Sequence, residues 1–565
     1  MTAILALAFA LRAIMAVRTS VMFEDGPHFL AVAKLFANGD WAEALSHPYH
    51  PLYSGLIAAF ELLIHDWEVA ALSVSVIGGT AAVLALYLFL RDAFDSRSAI
   101  FGAFLMAISP YAVRFTSDIE SEGVYLAFFM AAVALLWRGL GRGIERGSAS
   151  ILVAAGVSAG FAYLARPEGA GLVLIGIGLL ILKGYSDGWR ISRITGICFA
   201  LAGGALMIAA PYLRVLMQQR GGFALSGKKS VFRTLGLSGE SANPLVTDPA
   251  SLPLFVFVFV ALIAVIIFSI LRRRNSDRPQ TQSRTRVWVA VGSSLLVGWL
   301  LLWPGGLREF ASVLVSTLRP EVSILVALGI YASISASSQR ESQPRDVFIA
   351  AILAFYAVVL LGLLANYGYL SRRHVLPLIP LLLGYAGLGA GWLVDRVVDV
   401  GNRDDKREET RSGRVAWMTP VGVLTGLALA MFAITAPKVL RDHREDVLAQ
   451  RLAAEWLRDQ AYEPGGRVAS DKRRTAYYAE RQWFPLTKGS GLRSLESLVR
   501  ERVRYIVADD RDQLLPSPGI ELRELYRAAA GGRSGVVYEL TRSISVESRP
   551  AGPAIGAGPP KYELH

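Results

Sequence analysis

The chain alternates long, nearly uncharged apolar blocks with short linkers that hold most of its charge. The blocks fall near residues 3–19, 68–90, 99–113, 123–137, 149–165, 169–182, 194–213, 251–271, 287–303, 321–337, 346–366, 375–394 and 415–435. As helices, most of them can cross about 30 Å of hydrocarbon, and the shorter ones need help from flanking residues. The pattern predicts a polytopic α-helical membrane protein of about 13 transmembrane helices.

A further apolar segment, residues 51–64, decides the orientation, because counting it as a span flips everything after it. If it lies at the interface, the basic linkers become cytoplasmic: Arg91/Arg97, Arg138/Arg142/Arg146, Lys183/Arg190/Arg193, Arg272/Arg273/Arg274 and residues 396–414. That is the distribution the positive-inside rule requires. The connections 20–67, 114–122, 166–168 and 214–250 then face outward, together with everything after the last span. Arg12 and Arg18 interrupt the first block, which has eleven residues before Arg12 and no basic leader. Met1 is accordingly expected to lie downstream of the true start; a cleaved signal peptide fits less well, since the basic residues follow the apolar run.

The pattern changes after the last block. Residues 1–436 form the membrane domain and residues 437–542 are expected to form a small extracytoplasmic α/β domain. Its elements are an amphipathic helix at 447–459, a strand at 467–470, a helix at 492–502 and a strand at 504–510. The tail 543–565 is Pro/Gly-rich and expected to be disordered.

Composition supports the bilayer as main solvent: 53% of residues are hydrophobic, 18% are charged and the mean hydropathy is +0.42. The net charge of +12 lies mostly in linkers, with no basic face interleaved with exposed aromatics, so nucleic acid is not an expected partner. The single cysteine, Cys198, excludes a disulfide framework and a cysteine metal site. Apart from Arg12 the block interiors carry essentially no ionisable residue. A coupled transporter keeps such groups near the midplane, where each costs about 2.5–3.5 kcal/mol or more. Chemistry is therefore expected at the membrane surface, on the outer side where the acidic loops gather.

Three outer elements stand out. The first loop opens with Glu24-Asp25 and ends in His47, His50 and Pro51. Such a carboxylate pair could deprotonate a nucleophile or hold a divalent metal; equally, Asp25 could cap the helix starting near Pro27. The second element, SDIESEG, carries Asp118, Glu120 and Glu122. On a helix Asp118 and Glu122 would share a face, and a solvated helix start would account for all three acids. In the third, Arg372, Arg373 and His374 place positive charge on the outer face and ask for an anionic partner, a lipid phosphate, unless they only anchor headgroups. His28, His47 and His50 match no zinc spacing and read as interfacial polar residues.

Taken together, these elements resemble the GT-C superfamily of polyprenyl-phosphate-sugar-dependent glycosyltransferases. Within it the likeness is to the family 39-like bacterial branch related to protein O-mannosyltransferases and the lipid A aminoarabinose transferase. It rests on Glu24-Asp25, AKLFANGDW, HPLYSGLI, the basic turn after Leu90 and RRHVLPLIPLL, and it covers nearly the whole chain. The resemblance implies a catalytic carboxylate at Asp25, beside Glu24, a second acidic position at Asp118 or Glu120, and a donor-phosphate residue at Arg372 or Arg373, next to His374 where the family typically has an aromatic. The family's phosphate-contacting lysine has no clear equivalent, since Lys34 sits too early. His47, His50, Arg114 and Glu122 are the expected substrate-binding residues. The implied partners are a polyprenyl-phosphate-linked sugar donor, a cell-envelope acceptor and the bilayer of a bacterial inner membrane, with the active site extracytoplasmic. Asp25 would take the acceptor's proton as it attacks the anomeric carbon, with inversion. Rival readings are a lipid or oligosaccharide transporter and a non-catalytic subunit with this fold. The sequence names neither sugar nor acceptor.

Overall fold

A computed structural model describes residues 1–141, 148–220, 224–227, 304–336, 343–405, 419–460, 466–488, 491–492, 495–509 and 520–542. The expected spans 251–271 and 287–303, the linkers at Arg142/Arg146 and 272–274, most of the loop 214–250 and the tail 543–565 lie outside them. The chain divides into two compact units, 1–443 and 444–565.

The first unit is a helical bundle. Its first half comprises α1 (Thr2–Val17), α2 (Gly26–Ala37), α3 (Trp41–Ser46), α4 (Pro51–Ile64), α5 (Trp67–Ala93), α6 (Ser96–Ile108), α7 (Pro110–Phe115), α8 (Glu122–Gly141), α9 (Ser148–Ala165), α10 (Ala170–Ser186) and α11 (Ile191–Arg220). Its second half comprises α12 (Pro304–Leu318), α13 (Pro320–Ala336), α14 (Gln343–Tyr367), the short α15 (Arg372–Val375), α16 (Ile379–Asp405) and α17 (Pro420–Val439). Among the described residues eight helices are long and apolar enough to cross a membrane, or nine if the bent pair α12–α13 is one span. The apolar helices α1, α4 and α6 are shorter.

The 14-residue α4 is about 21 Å long. Its N-cap residue His50 borders the cavity described below, and its far end leads into Trp67, whose ring carries the ammonium of Lys34 from α2 at 5.8 Å. Tyr53 of α4 holds it along α5, through Ala71 O at 3.1 Å and Ser75 Oγ at 2.7 Å. Asp66 then caps α5 through Val69 N and Asp95 caps α6 through Arg97 N and Ser98 N, so both turns are marked by a carboxylate at the N-cap.

The crossing of α5 and α8 sets the position of the acidic turn. A Cβ at Gly123 would meet Ser75 O at 2.5 Å and one at Gly79 would meet Thr116 at 2.5 Å, so only glycine permits this approach. The expected block 99–113 is broken: α6 stops at Ile108, and Ser109-Pro110 starts the separate α7, because Pro110 cannot donate to the preceding turn. The block near 321–337 is likewise one arm of a pair. Helix α12 precedes α13 at a bend of 102°, with Arg319 in the left-handed region (φ 81°) at the corner. The α12 arm was not among the expected elements.

The second unit is a five-stranded mixed sheet of order β2-β1-β5-β7-β6. Strand β1 (Arg467–Ser470) lies parallel to β2 (Gln482–Pro485) and β5 (Val503–Asp509). A small ladder joins β3 (Thr487–Lys488) to β4 (Gly491–Leu492). The long hairpin β6 (Ile520–Ala530) and β7 (Arg533–Arg542) adds antiparallel to β5. Its turn is Gly531-Gly532, both at positive φ as a tight hairpin requires. The amphipathic α18 (Leu448–Asp459) buries Ala449, Ala453, Ala454 and Leu457, and Trp456 stacks on Tyr526 of β6 at 4.7 Å. Two further short helices are α19 (Arg473–Tyr478) and α20 (Leu495–Arg500), the latter shorter than the expected 492–502.

Candidate active site

A cavity of about 840 Å³ opens at one end of the bundle, and the linkers expected on the outer face converge on it. Loop one contributes Glu24 and Asp25, the α7–α8 region Arg114 and Ser121, the α9–α10 turn Arg166 and Glu168, and the α14–α15 corner Arg372, Arg373 and His374.

Asp25 sits at the N-cap position of α2, yet its side chain makes no capping bond. The cap reading therefore does not describe it. Its carboxylate instead faces across the loop: Tyr49 Oη donates to Oδ1 at 2.5 Å, and Arg373 Nη1 donates to Oδ2 at 2.9 Å. Glu24 is exposed on the cavity rim.

The acidic turn differs from the sequence expectation in two respects. Asp118 is not on a helix with Glu122, since α8 begins at Glu122 and residues 116–121 form a turn. Nor are the acids solvated: Asp118, Glu120 and Glu122 are 2%, 0% and 1% exposed. Asp118 Oδ1 accepts from Ile119 N at 2.8 Å and from Phe23 N at 3.3 Å, so this acid ties the turn to loop one. Glu122 Oε1 is shared by two arginines, Arg373 Nε at 2.6 Å and Arg166. Glu120 lies 3.7 Å from Arg373 Nε. Arg166 also pairs with Glu168 at 3.2 Å. Burial alone would depress the Arg166 guanidinium, but Glu168 and Glu122 outweigh it and hold its pKa above the ordinary value.

A line of alternating charge thus runs from Asp25 through Arg373, Glu122 and Arg166 to Glu168. It leaves Arg373 and Arg372 with different partners. Arg373 is engaged by carboxylates and lies over the Phe23 ring at 4.8 Å. Arg372 is exposed, with Ser316 of α12 at 3.4 Å and the Tyr111 ring at 4.6 Å, and has no carboxylate partner among the described residues. His374 folds back onto its own turn, its Nδ1 within 3.1 Å of Ser371 N and Oγ.

The three histidines do not share one site. His28 and His47 lie 5.6 Å apart and both pack on Tyr49, at 4.8 and 5.6 Å between ring centroids. His50 is buried between Tyr163 and Tyr212, with neither ring nitrogen hydrogen-bonded among the described residues. Burial pushes its pKa down to about 4, so the ring is neutral at physiological pH. Among the described residues no group of His, Cys, Asp and Glu is arranged to hold a metal, and the cation between Asp25 and Glu122 is the guanidinium of Arg373. Tyr49, Arg166, Glu168 and Ser316 were not among the expected site residues. For Arg166 a signal existed, because RPEG puts a basic residue in an outer linker just as SRRH does.

Comparison with known proteins bears on this architecture. Residues 46–214 match the family described as dolichyl-phosphate-mannose-protein mannosyltransferase. The fold is similar to that of ArnT from Cupriavidus metallidurans bound to undecaprenyl phosphate, at 13% identity and a TM-score of 0.57, over 97% of this chain and 99% of that one. It is also similar to the oligosaccharyltransferase AglB from Archaeoglobus fulgidus in complex with an inhibitory peptide and a dolichol-phosphate. That match has 15% identity and a TM-score of 0.53, over 90% of this chain and 69% of the other. No curated protein matches the sequence. The chain thus shares its fold with these solved structures, and its residues 46–214 are similar to the mannosyltransferase family.

Proposed function

We propose that the protein moves a sugar from a polyprenyl-phosphate donor to a cell-envelope acceptor on the extracytoplasmic face of a bacterial inner membrane. The observation that carries this reading is that one cavity holds both the carboxylate of Asp25 and the guanidinium of Arg372, which has no carboxylate partner among the described residues. The acceptor's hydroxyl replaces Tyr49 at Asp25 Oδ1 and gives up its proton there, while Arg373 keeps Oδ2 in place. The acceptor oxygen bonds to the anomeric carbon as the carbon–oxygen bond to the lipid phosphate breaks. Arg372 meets the charge that develops on the departing phosphate. One displacement inverts the anomeric centre. Mass spectrometry of envelope lipids, glycans and proteins with and without the gene tests the reading; an altered glycan identifies the acceptor, and identical profiles would count against it.

Arg372→Ala is expected to raise the donor KM roughly 10- to 100-fold, the span of a lost charged hydrogen bond, with acceptor KM little changed. Lys should recover only part, because it cannot hold a phosphate bidentately. Unchanged donor kinetics in the Ala variant would remove Arg372 from the phosphate site. On orientation, cysteines placed at Asp40 and Gly465 should both react with a membrane-impermeant thiol reagent from outside the cell. Labelling on opposite sides would sink the topology in which 51–64 does not cross.

A further inference from the structure

We infer that Arg12, deep in α1 and outside the cavity, is a positioning residue that fixes the acidic turn 116–121 against the loop carrying Glu24 and Asp25. Its side chain is the largest fully buried one among the described residues. Arg12 Nε donates to Thr116 Oγ1 at 2.8 Å, and Nη1 donates to Ala8 O at 3.0 Å and to Ala107 O at 3.5 Å. Nη2 has no hydrogen-bond partner among the described residues.

Each contact has a local cause. Ala107, itself fully buried, belongs to the last turn of α6, where the Ser109-Pro110 break leaves carbonyls short of donors. Thr116 follows α7 and passes its own proton to Ala112 O at 2.7 Å, so Arg12, Thr116 and the α7 backbone form one chain. Two residues further on, Asp118 accepts from Phe23 N, immediately before Glu24-Asp25. Helix α1 and the loop that follows it are thus fastened to the turn twice, by Arg12 from below and by Phe23 beside the cavity. Gly79 of α5 closes the remaining wall, because a Cβ there would stand 2.6 Å from Arg12 Nε. A guanidinium buried in an otherwise uncharged helix is expensive, and an apolar side chain would fill the same space. What the arginine adds is a fixed turn. Glu120 and Glu122 surround Arg373, and Arg373 holds Asp25, so slack in the turn displaces the base and acts on kcat more than on donor binding.

This inference rests on the transferase reading, and the test separates the two. Full-length Arg12→Met, Arg12→Lys, Thr116→Val and the Arg12→Met/Thr116→Val double variant are compared by amide hydrogen exchange, thermal midpoint and donor kinetics. Arg12→Met should speed exchange in the peptide covering 116–121 roughly tenfold or more while leaving the C-terminal strands unchanged. Its kcat should fall roughly 10- to 100-fold with donor KM within about threefold of wild type. Lys should restore part of both, and the double variant should be no worse than Arg12→Met. Unchanged exchange over 116–121, or a wild-type kcat per folded molecule, would overturn the proposal. So would a loss confined to KM. If Arg12→Met does not fold, Arg12→Lys and Thr116→Val carry the same comparison. If wild type does not use a polyprenyl-phosphate sugar, the transferase reading fails alone and the exchange result still decides the role of Arg12.

Discussion

Asp25→Asn is expected to leave membrane insertion, thermal midpoint and donor binding near wild type while turnover falls roughly a hundredfold or more. The amide keeps an oxygen for Tyr49 to donate to, and Arg373 retains Glu122 at 2.6 Å, so the charge network loses one acid without falling apart. The variant does lose the carboxylate proposed to take the acceptor's proton. Because Asp25 makes no capping bond, helix stability does not confound the comparison. Glu24→Gln is the internal control: an exposed acid on the rim should matter little. Near-normal turnover in Asp25→Asn with a strong loss in Glu24→Gln would move the base one residue. Near-normal turnover in both would move the search to Glu120 and Asp118.

The second large effect is expected at Arg373, and it differs in kind. Arg373→Ala should cost both activity and stability, about 3–5 kcal/mol, because removing one partner leaves buried acids without their cation. Glu120 and Glu122 are almost fully buried, and Arg373 is a cation common to them and Asp25. Lys should be intermediate: the arginine reaches Asp25 through Nη1 and Glu122 through Nε, and a single ammonium cannot occupy both positions. Thermal unfolding in detergent, read beside donor kinetics, makes the comparison. A wild-type midpoint with only a raised donor KM would mean that Arg373 serves the phosphate and that the tasks of the two arginines have been exchanged.

Much of the fold was legible because a bilayer demands long apolar helices, and those leave a plain trace. The breaks inside helices were less legible. Pro110 was in view, yet the block around it is apolar on both sides; α12 was missed because its charges at Arg308 and Glu309 dilute the apolar signal of a helix that starts the bent pair. In the second unit the strands β6 and β7 were not among the expected elements, because Leu522, Tyr526 and the alanines around them lie among charges and do not alternate cleanly. Around the cavity, Asp25 and the two arginines stood out in the sequence because charge on the edge of a membrane is conspicuous. The division of labour between Arg372 and Arg373 was not readable, since it depends on which guanidinium faces Glu122, 251 residues away. The dryness of the acidic turn was also hidden; it comes from the α5–α8 approach at Gly79 and Gly123, and nothing in SDIESEG announces it.

The Asp25–Arg373 pair also sets an order of events during biosynthesis. Its partners are 348 residues apart, so at ordinary elongation rates the arginine leaves the ribosome roughly 20–70 s after the aspartate. Glu122 waits only 44 residues for Arg166, and that pair can close early. Asp25 must stand without its guanidinium until the helices of the second half arrive. A nascent or truncated chain lacking residues beyond 372 would hold its loop-one acid without this guanidinium, and the late docking of the SRRH corner becomes the step that completes both the charge line and the wall of the cavity.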